Sequence, residues 1–301
     1  MHTRRQLLLG AGLMAAAPWP AAAPGAAGAA AVLVVTLRSP DSLTDQRNAF
    51  ARDAVQLALQ RTVASHGPFV LRQSEPMTKL RALRVASQRQ LPNFLLMSGP
   101  EAARAAGLVP VPFPLLMGLN RYRVCFVSKA VQAQVREADG LAALARLRHV
   151  QGSGWADAGI LRANGFQVTE VNNYAGMFQM LALGRADLFC RSVLEVGPEA
   201  RNHAGLRGLA LDDSFMLQYD LPHYLYTHPS HAALVARLSL GLRQAYAEGE
   251  LQALMRRHLK PWLGTLALER RKLYRLQAPP ALSEMDDRPY QLDLVSLAAG
   301  R

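Results

Sequence analysis

Apolar residues along this chain follow two alternating rhythms: short unbroken runs, and longer stretches with a spacing of three to four. The runs at 32–37, 69–72, 94–97, 122–127, 149–151, 167–171 and 188–190 read as strands. Between them, 45–64, 77–86, 156–164 and 175–183 carry helical spacing, and in the first of these Phe50, Val55, Leu57, Leu59 and Val63 supply an apolar face. Ser98-Gly99-Pro100-Glu101 predicts a further helix start, because proline suits the first turn and an early acid suits the positive end of the dipole. The proline-rich piece 109–116 is extended, since each proline pushes its predecessor out of the α region. Over 149–195 the strand–helix–strand alternation is that of parallel βαβ units. Beyond it the chain returns through 206–211 and 224–227, then enters a long helix at 231–247 and a shorter one at 251–258, which Pro261 stops. Residues 266–301 are poorer in periodic structure.

Composition adds limits. With half of its 301 residues hydrophobic and 19% charged, the chain is globular and long enough for one large domain or two modest ones. The first thirty residues are a different material: Arg4 and Arg5, an apolar run at 7–17, then alanines and prolines. This is the pattern of a cleaved export signal over 1–30, and its apolar run is too short to remain as a bilayer anchor. Thr3-Arg4-Arg5-Gln6-Leu7-Leu8 matches a twin-arginine signal only loosely, so Sec export rather than Tat is expected, with a periplasmic location. Cleavage between Ala23 and Ala30 would lower the net charge from +12 to +10. The basic residues are spread over many predicted helix faces rather than gathered in one arm. That distribution excludes nucleic acid as a favoured partner and fits a solvated basic surface or an acidic small solute.

Candidate chemistry is sparse. No Gly-x-Ser-x-Gly or His-Glu-x-x-His motif occurs, and Ser153 has no identifiable base, so no enzyme is expected. The histidines show no ligand spacing, and neither cysteine lies at metal-ligand distance from another Cys or His; no metal and no cofactor are expected. Cys125 and Cys190 both lie in strand-like runs. Read alone they are two buried thiols, although an oxidising compartment permits a bridge. The strand at 149–151 runs into Gly152-Ser153-Gly154 where a helix begins, and the N–H groups of such a turn suit an anion or carboxylate. This segment reads as a small-ligand binding module.

Several pieces in order carry a resemblance: a first strand followed by a turn and long helix; the proline-rich crossing before Tyr122-Arg123-Val124; Gly152-Ser153-Gly154-Trp155 at a helix start; Leu183-Gly184-Arg185-Ala186-Asp187-Leu188; and Tyr246-Ala247-Glu248-Gly249 before the last helix. Over roughly 32–262 the chain resembles the type II periplasmic solute-binding proteins, specifically the family 3 group of polar amino-acid binders. The resemblance implies an α/β fold of two lobes, each a mixed sheet flanked by helices, with a ligand cleft between them. Lobe 1 would combine 31–117 with 207–265, lobe 2 would be the inserted 118–206, and 266–301 a tail, with hinges near 115–120 and 205–209. It implies a monomer that closes over a small polar or anionic, carboxylate-bearing solute for an ABC-type importer, or a sensing module that reports to a membrane partner without transport.

The ligand contacts so implied are Arg38, Ser39, Ser98, Arg104, Ser153, Gly154 and Trp155. Trp155 either stacks on the ligand or packs against its own lobe. The family places an aspartate beyond the strand after Asp187 to meet the ligand's ammonium; here that position is Ser192, beside Arg191. An anionic solute is therefore expected over a standard amino acid, with Arg191 either facing the ligand, pointing to solvent or pairing with Glu195. The same topology implies Cys125 and Cys190 on adjacent strands, within reach of a cross-strand disulfide.

Overall fold

A computed structural model describes residues 32–39, 47–278 and 283–294. The export signal expected over 1–30, the turn at Pro40-Asp41, the first residues of the helix expected from Asp45, and Pro279-Pro280 lie outside the described residues. In chain order the strands are β1 (Leu33–Leu37), β2 (Phe69–Gln73), β3 (Phe94–Ser98), β4 (Val109–Pro110), β5 (Tyr122–Ser128), β6 (Arg148–Gly152), β7 (Gln167–Val171), β8 (Leu188–Ser192), β9 (Leu209–Leu211), β10 (Phe215–Gln218), β11 (Tyr224–Thr227) and β12 (Lys272–Arg275).

They form two sheets. The first has the order β2-β1-β3-β11-β4, with β1, β2 and β3 parallel and β11 and β4 antiparallel additions. Parallel neighbours need crossovers, and the helices Ala49–Arg61 and Lys79–Ser87 supply them. The second has the order β12-β10-β5-β8-β6-β7, with β9 also on β5; β6 is parallel to β7 and β8, and β5 is antiparallel to β8 and β10. Each sheet with its helices is one lobe, and both lie within one compact unit, Val32–Arg301.

In lobe 1 the helix Ala49–Arg61 buries Phe50, Ala51, Ala54, Val55, Ala58 and Leu59, a helical spacing that faces the helix Ala232–Ala247. The two backbones meet at Gly241, where a β-carbon would overlap the Ala58 carbonyl. Arg237, 3% exposed, donates to the carbonyls of Leu59, His66 and Gly67 and to Thr62 Oγ1. Its charge thus sits at the carbonyl end of the helix, where the dipole favours a cation.

The sheets move the lobe boundaries. β9, β10 and β12 all belong to the second sheet, so lobe 2 does not end at 206. The expected hinge at 205–209 leads into β9, paired to β5, and the chain returns to lobe 1 between β10 and β11, at residues 219–223. The tail is also ordered. β12 runs parallel to β10 along the sheet edge, and Asn164 holds Gln277 through both its amide and its carbonyl. Residues 283–294 then pack on lobe 1. Tyr224 donates to Asp287 at 2.7 Å and Tyr226 to Glu284 at 2.8 Å, while Tyr290 packs against Phe113 and Tyr246. These contacts are long-range, so no local periodicity announces them.

Cys125 and Cys190 are directly opposed in the antiparallel β5–β8 register and form a disulfide. Register decides against two free thiols. His149 on β6 is 1% exposed, edge-on to Phe166 at 4.7 Å. Neither ring nitrogen has an aligned partner among the described residues; the Leu144 carbonyl pulls only weakly, and burial pushes the imidazole down to about 4.

Two outcomes follow. Replacing both Cys125 and Cys190 by alanine should cost about 2–4 kcal/mol in urea unfolding, and thiol labelling of the denatured wild type should require prior reduction. Labelling without reductant would disprove the bridge. Below the ordinary histidine value of about 6.5 the unfolded chain takes up a proton that buried His149 refuses until about pH 4, so stability falls across that window. His149→Leu should flatten the decline in Tm between pH 7 and pH 5, and an unchanged slope would contradict this.

Candidate functional site

Between the lobes lies a cavity of about 350 Å³, walled by both of them. Lobe 2 contributes the ends of β5, β6 and β8 and the start of the helix Ala156–Ala163. Arg123, 3% exposed, donates through Nε to Asp157 Oδ1 at 2.9 Å and to Tyr219 Oη at 3.1 Å, while Tyr219 donates to the same oxygen at 2.6 Å. Burial alone would raise the Asp157 carboxyl, but Arg123 and the Tyr219 hydroxyl hold it down to about 2. The same burial pushes the Tyr219 hydroxyl up. This closed set fixes the helix start against β5.

A second closed set lies at the end of β8. Arg191, 4% exposed, donates through Nε to Glu199 Oε1 at 3.0 Å and Oε2 at 3.2 Å. Its Nη2 lies 3.0 Å from Glu195 Oε2 and 2.9 Å from Glu199 Oε1, ion pairs in which no N–H points squarely at either oxygen. Tyr174 adds its hydroxyl to Glu199 Oε1 at 2.5 Å. Burial raises the Glu199 carboxyl, with Glu195 adding to the effect against the pull of Arg191. Trp155 lies over Arg191, 4.6 Å from guanidinium carbon to ring centroid, and stacks on Phe189. From lobe 1, Arg47 reaches the same aromatics, 4.0 Å over Tyr174 and 5.8 Å over Trp155. The lobes meet again where Trp262 fits over Gly197 and under Arg201, 4.4 Å away.

Of the residues singled out in the sequence, Arg38, Ser153, Trp155, Arg191 and Ser192 line the cavity. Arg38 also donates to the Met77 carbonyl at 2.8 Å. Ser39 is tied to Ser74, its Oγ donating to that carbonyl at 2.5 Å, and Ser98 is fully buried in the β3–β11 pairing; neither lines the cavity. Arg104 stands elsewhere: on the outer face of a short helix it forks onto Glu284 of the tail, at 2.8 and 3.1 Å. The Gly152–Trp155 turn is not an open anion cradle either. Ser153 N donates to the Val171 carbonyl, Gly154 N to Glu170 Oε2 at 2.9 Å, and Trp155 N to the Gly152 carbonyl. Trp155 packs within its own lobe, on Gly152 and Phe189, and also lines the cavity. Arg191 pairs with Glu195 as one reading had it, and with Glu199 besides.

Lys79 and His223 are lining residues that sequence reasoning missed, and Glu195, named there only as a partner for Arg191, lines the cavity as well. Glu195 Oε2 comes within 3.4 Å of Ser192 N, so a carboxylate stands close to where position 192 lacks one. His223 is pushed down to about 4 by burial and by Lys79, and is neutral. Lys79 carried a signal: it opens the helix Lys79–Ser87, where a cation opposes the dipole. Among the described residues no group of three or more His, Cys, Asp or Glu is placed to hold a metal ion.

No protein-family model matches the sequence, and no curated protein matches it. Solved structures do. A Salmonella typhimurium periplasmic binding protein of high arginine specificity superposes with a TM-score of 0.55 at 13% identity, over 75% of this chain and 99% of that one. A structure concerned with glutathione import in Streptococcus mutans gives 0.55 at 12% identity, over 76% and 95%. An ancestral arginine-binding protein bound to arginine gives 0.54 at 13%, over 75% and 97%. The fold is that of the type II two-lobed solute-binding proteins.

Arg191→Met should cost about 3–5 kcal/mol in urea unfolding, because it leaves the buried Glu199 carboxylate without its cation and facing half-buried Glu195, and a further Glu199→Gln should recover part of that loss. A midpoint that does not move would remove Arg191 from this structural role.

Proposed function

We propose that the chain is a non-catalytic, exported solute-binding protein of the periplasm, which closes over a small polar, carboxylate-bearing ligand and delivers it to an ABC-type importer. The observation that carries this reading is the cavity itself: polar and aromatic side chains from two separate lobes converge on one space of ligand size, next to the segments by which the chain crosses between them. The carboxylates that line it are already bound to arginines of the same lobe, an arrangement built for holding rather than for acid–base chemistry. The similar structures concern arginine and glutathione, both small, polar and carboxylate-bearing. Among the described residues no helix is long and apolar enough to cross a membrane; this reading gives the transport step to a separate membrane partner.

A thermal-shift screen of L-amino acids and dicarboxylates should raise Tm by several degrees for a small subset. Binding should depend on closure. Gly197→Val pushes a side chain into Trp262 across the cleft and should weaken the best hit by at least tenfold, with a larger radius of gyration by X-ray scattering. The reading fails if no solute stabilises the protein, or if the wedged variant binds as tightly as the wild type.

A further inference from the structure

We infer that Lys79 is the anion-recognising residue of the cleft and that the solute carries an acidic group for it, which makes the ligand class small carboxylate solutes of net negative charge. This rests on the solute-binding reading above. Three observations lead to it.

The first is a charge account of the cavity wall. Asp157 is taken by Arg123 and Tyr219, and Glu195 by Arg191, all within lobe 2. Lys79, on lobe 1, has Asp157 and Arg38 as its charged neighbours, both acting at Coulombic rather than hydrogen-bonding range. One of these is a carboxylate already shared by two donors, and the other is a like charge. An ammonium so placed has no ion-paired carboxylate among the described residues and gains from an incoming anion.

The second is desolvation. Lys79 faces the cavity at the first turn of its helix, and burial, with Arg38 adding to it, lowers its proton affinity. The helix dipole disfavours a cation at this end, while the same end favours an anion beside it. A bound carboxylate removes both penalties at once. Neutral His223, next to Lys79, offers an imidazole without adding charge.

The third concerns the opposite sign of ligand. The aromatic faces that would accept a cationic group are covered by the chain's own guanidinium groups, Arg47 over Tyr174 and Arg191 over Trp155. A ligand with a free cationic side chain must displace one of them, whereas an acidic ligand keeps both in place.

Isothermal titration of the full exported chain with succinate, glutarate and L-glutamate, against L-alanine, L-glutamine and L-arginine, decides the matter in three proteins. In the wild type at least one acidic solute should bind at least tenfold more tightly than any neutral or basic one. Lys79→Gln should lose that preference, with at least a tenfold drop for the acidic solute, and Lys79→Arg should keep affinity within a few-fold. Best binding by alanine, glutamine or arginine would overturn the proposal while leaving the solute-binding reading intact. So would an acidic solute that binds Lys79→Gln as tightly as wild type. Binding by none of the six would overturn both.

Discussion

The wall of the cleft depends on one buried guanidinium. Arg191 leaves β8 beneath Trp155 with almost no exposure, and a bare cation there would be prohibitively costly. Glu195 and Glu199 follow it at four and eight residues, one in the turn after the strand and the other on the helix Val196–Asn202. The pairing therefore sets the angle at which that helix leaves the sheet. Tyr174 reaches Glu199 from another helix, and Trp155 covers the guanidinium from a third. Four elements of lobe 2 are fixed by satisfying one charge. The same helix then presents Gly197 to Trp262 of lobe 1, so the fit between the lobes inherits its geometry from Arg191.

With the Arg123–Asp157–Tyr219 set beneath the neighbouring helix start, lobe 2 meets its own electrostatic demands. Its polar groups are held in place by one another. Lobe 1 is different in kind. Its Lys79 lines the cavity with no ion-paired carboxylate among the described residues, opposite a wall whose anions are already engaged.

The division between what was legible and what was not follows from the range of the interactions. β1, β2, β3 and β5 to β8 were readable within a residue or two, most of them as runs of apolar or β-branched residues and β6 and β7 by their place in the strand–helix alternation. β10 and β12 are four residues each, and β12 (Lys-Leu-Tyr-Arg) is mostly exposed; only its parallel partner makes it a strand, so the lobe boundary drawn at 206 fell short. The link from Arg191 to Glu195 is a spacing of four and was visible as an alternative, while the link to Glu199 needs the strand-to-helix angle. Ser192 read as a lost carboxylate because position was counted along the chain, whereas Glu195 folds its side chain back to within reach of the Ser192 N–H. The Gly152–Trp155 turn was recognised as a turn, but that Glu170, on β7, takes the Gly154 N–H is a fact of tertiary structure. Arg104 was placed by analogy of position, and its partner Glu284 lies in a tail that periodicity left blank.

That tail bears on how the cleft can move. β11 buries Tyr224 and Tyr226 completely, and buried hydroxyls need acceptors. Asp287 and Glu284 supply them from the tail, so lobe 1 is complete only with residues 283–294 in place. The same tail is anchored on lobe 2 by β12 and by the double bond from Asn164 to Gln277. The tail thus leaves lobe 1 for β12 and returns to it at 283–294, adding two connections to the two crossings, and each added connection narrows the range of lobe orientations open to the protein. The acids that cap two tyrosines thus couple the stability of one lobe to the freedom of the pair.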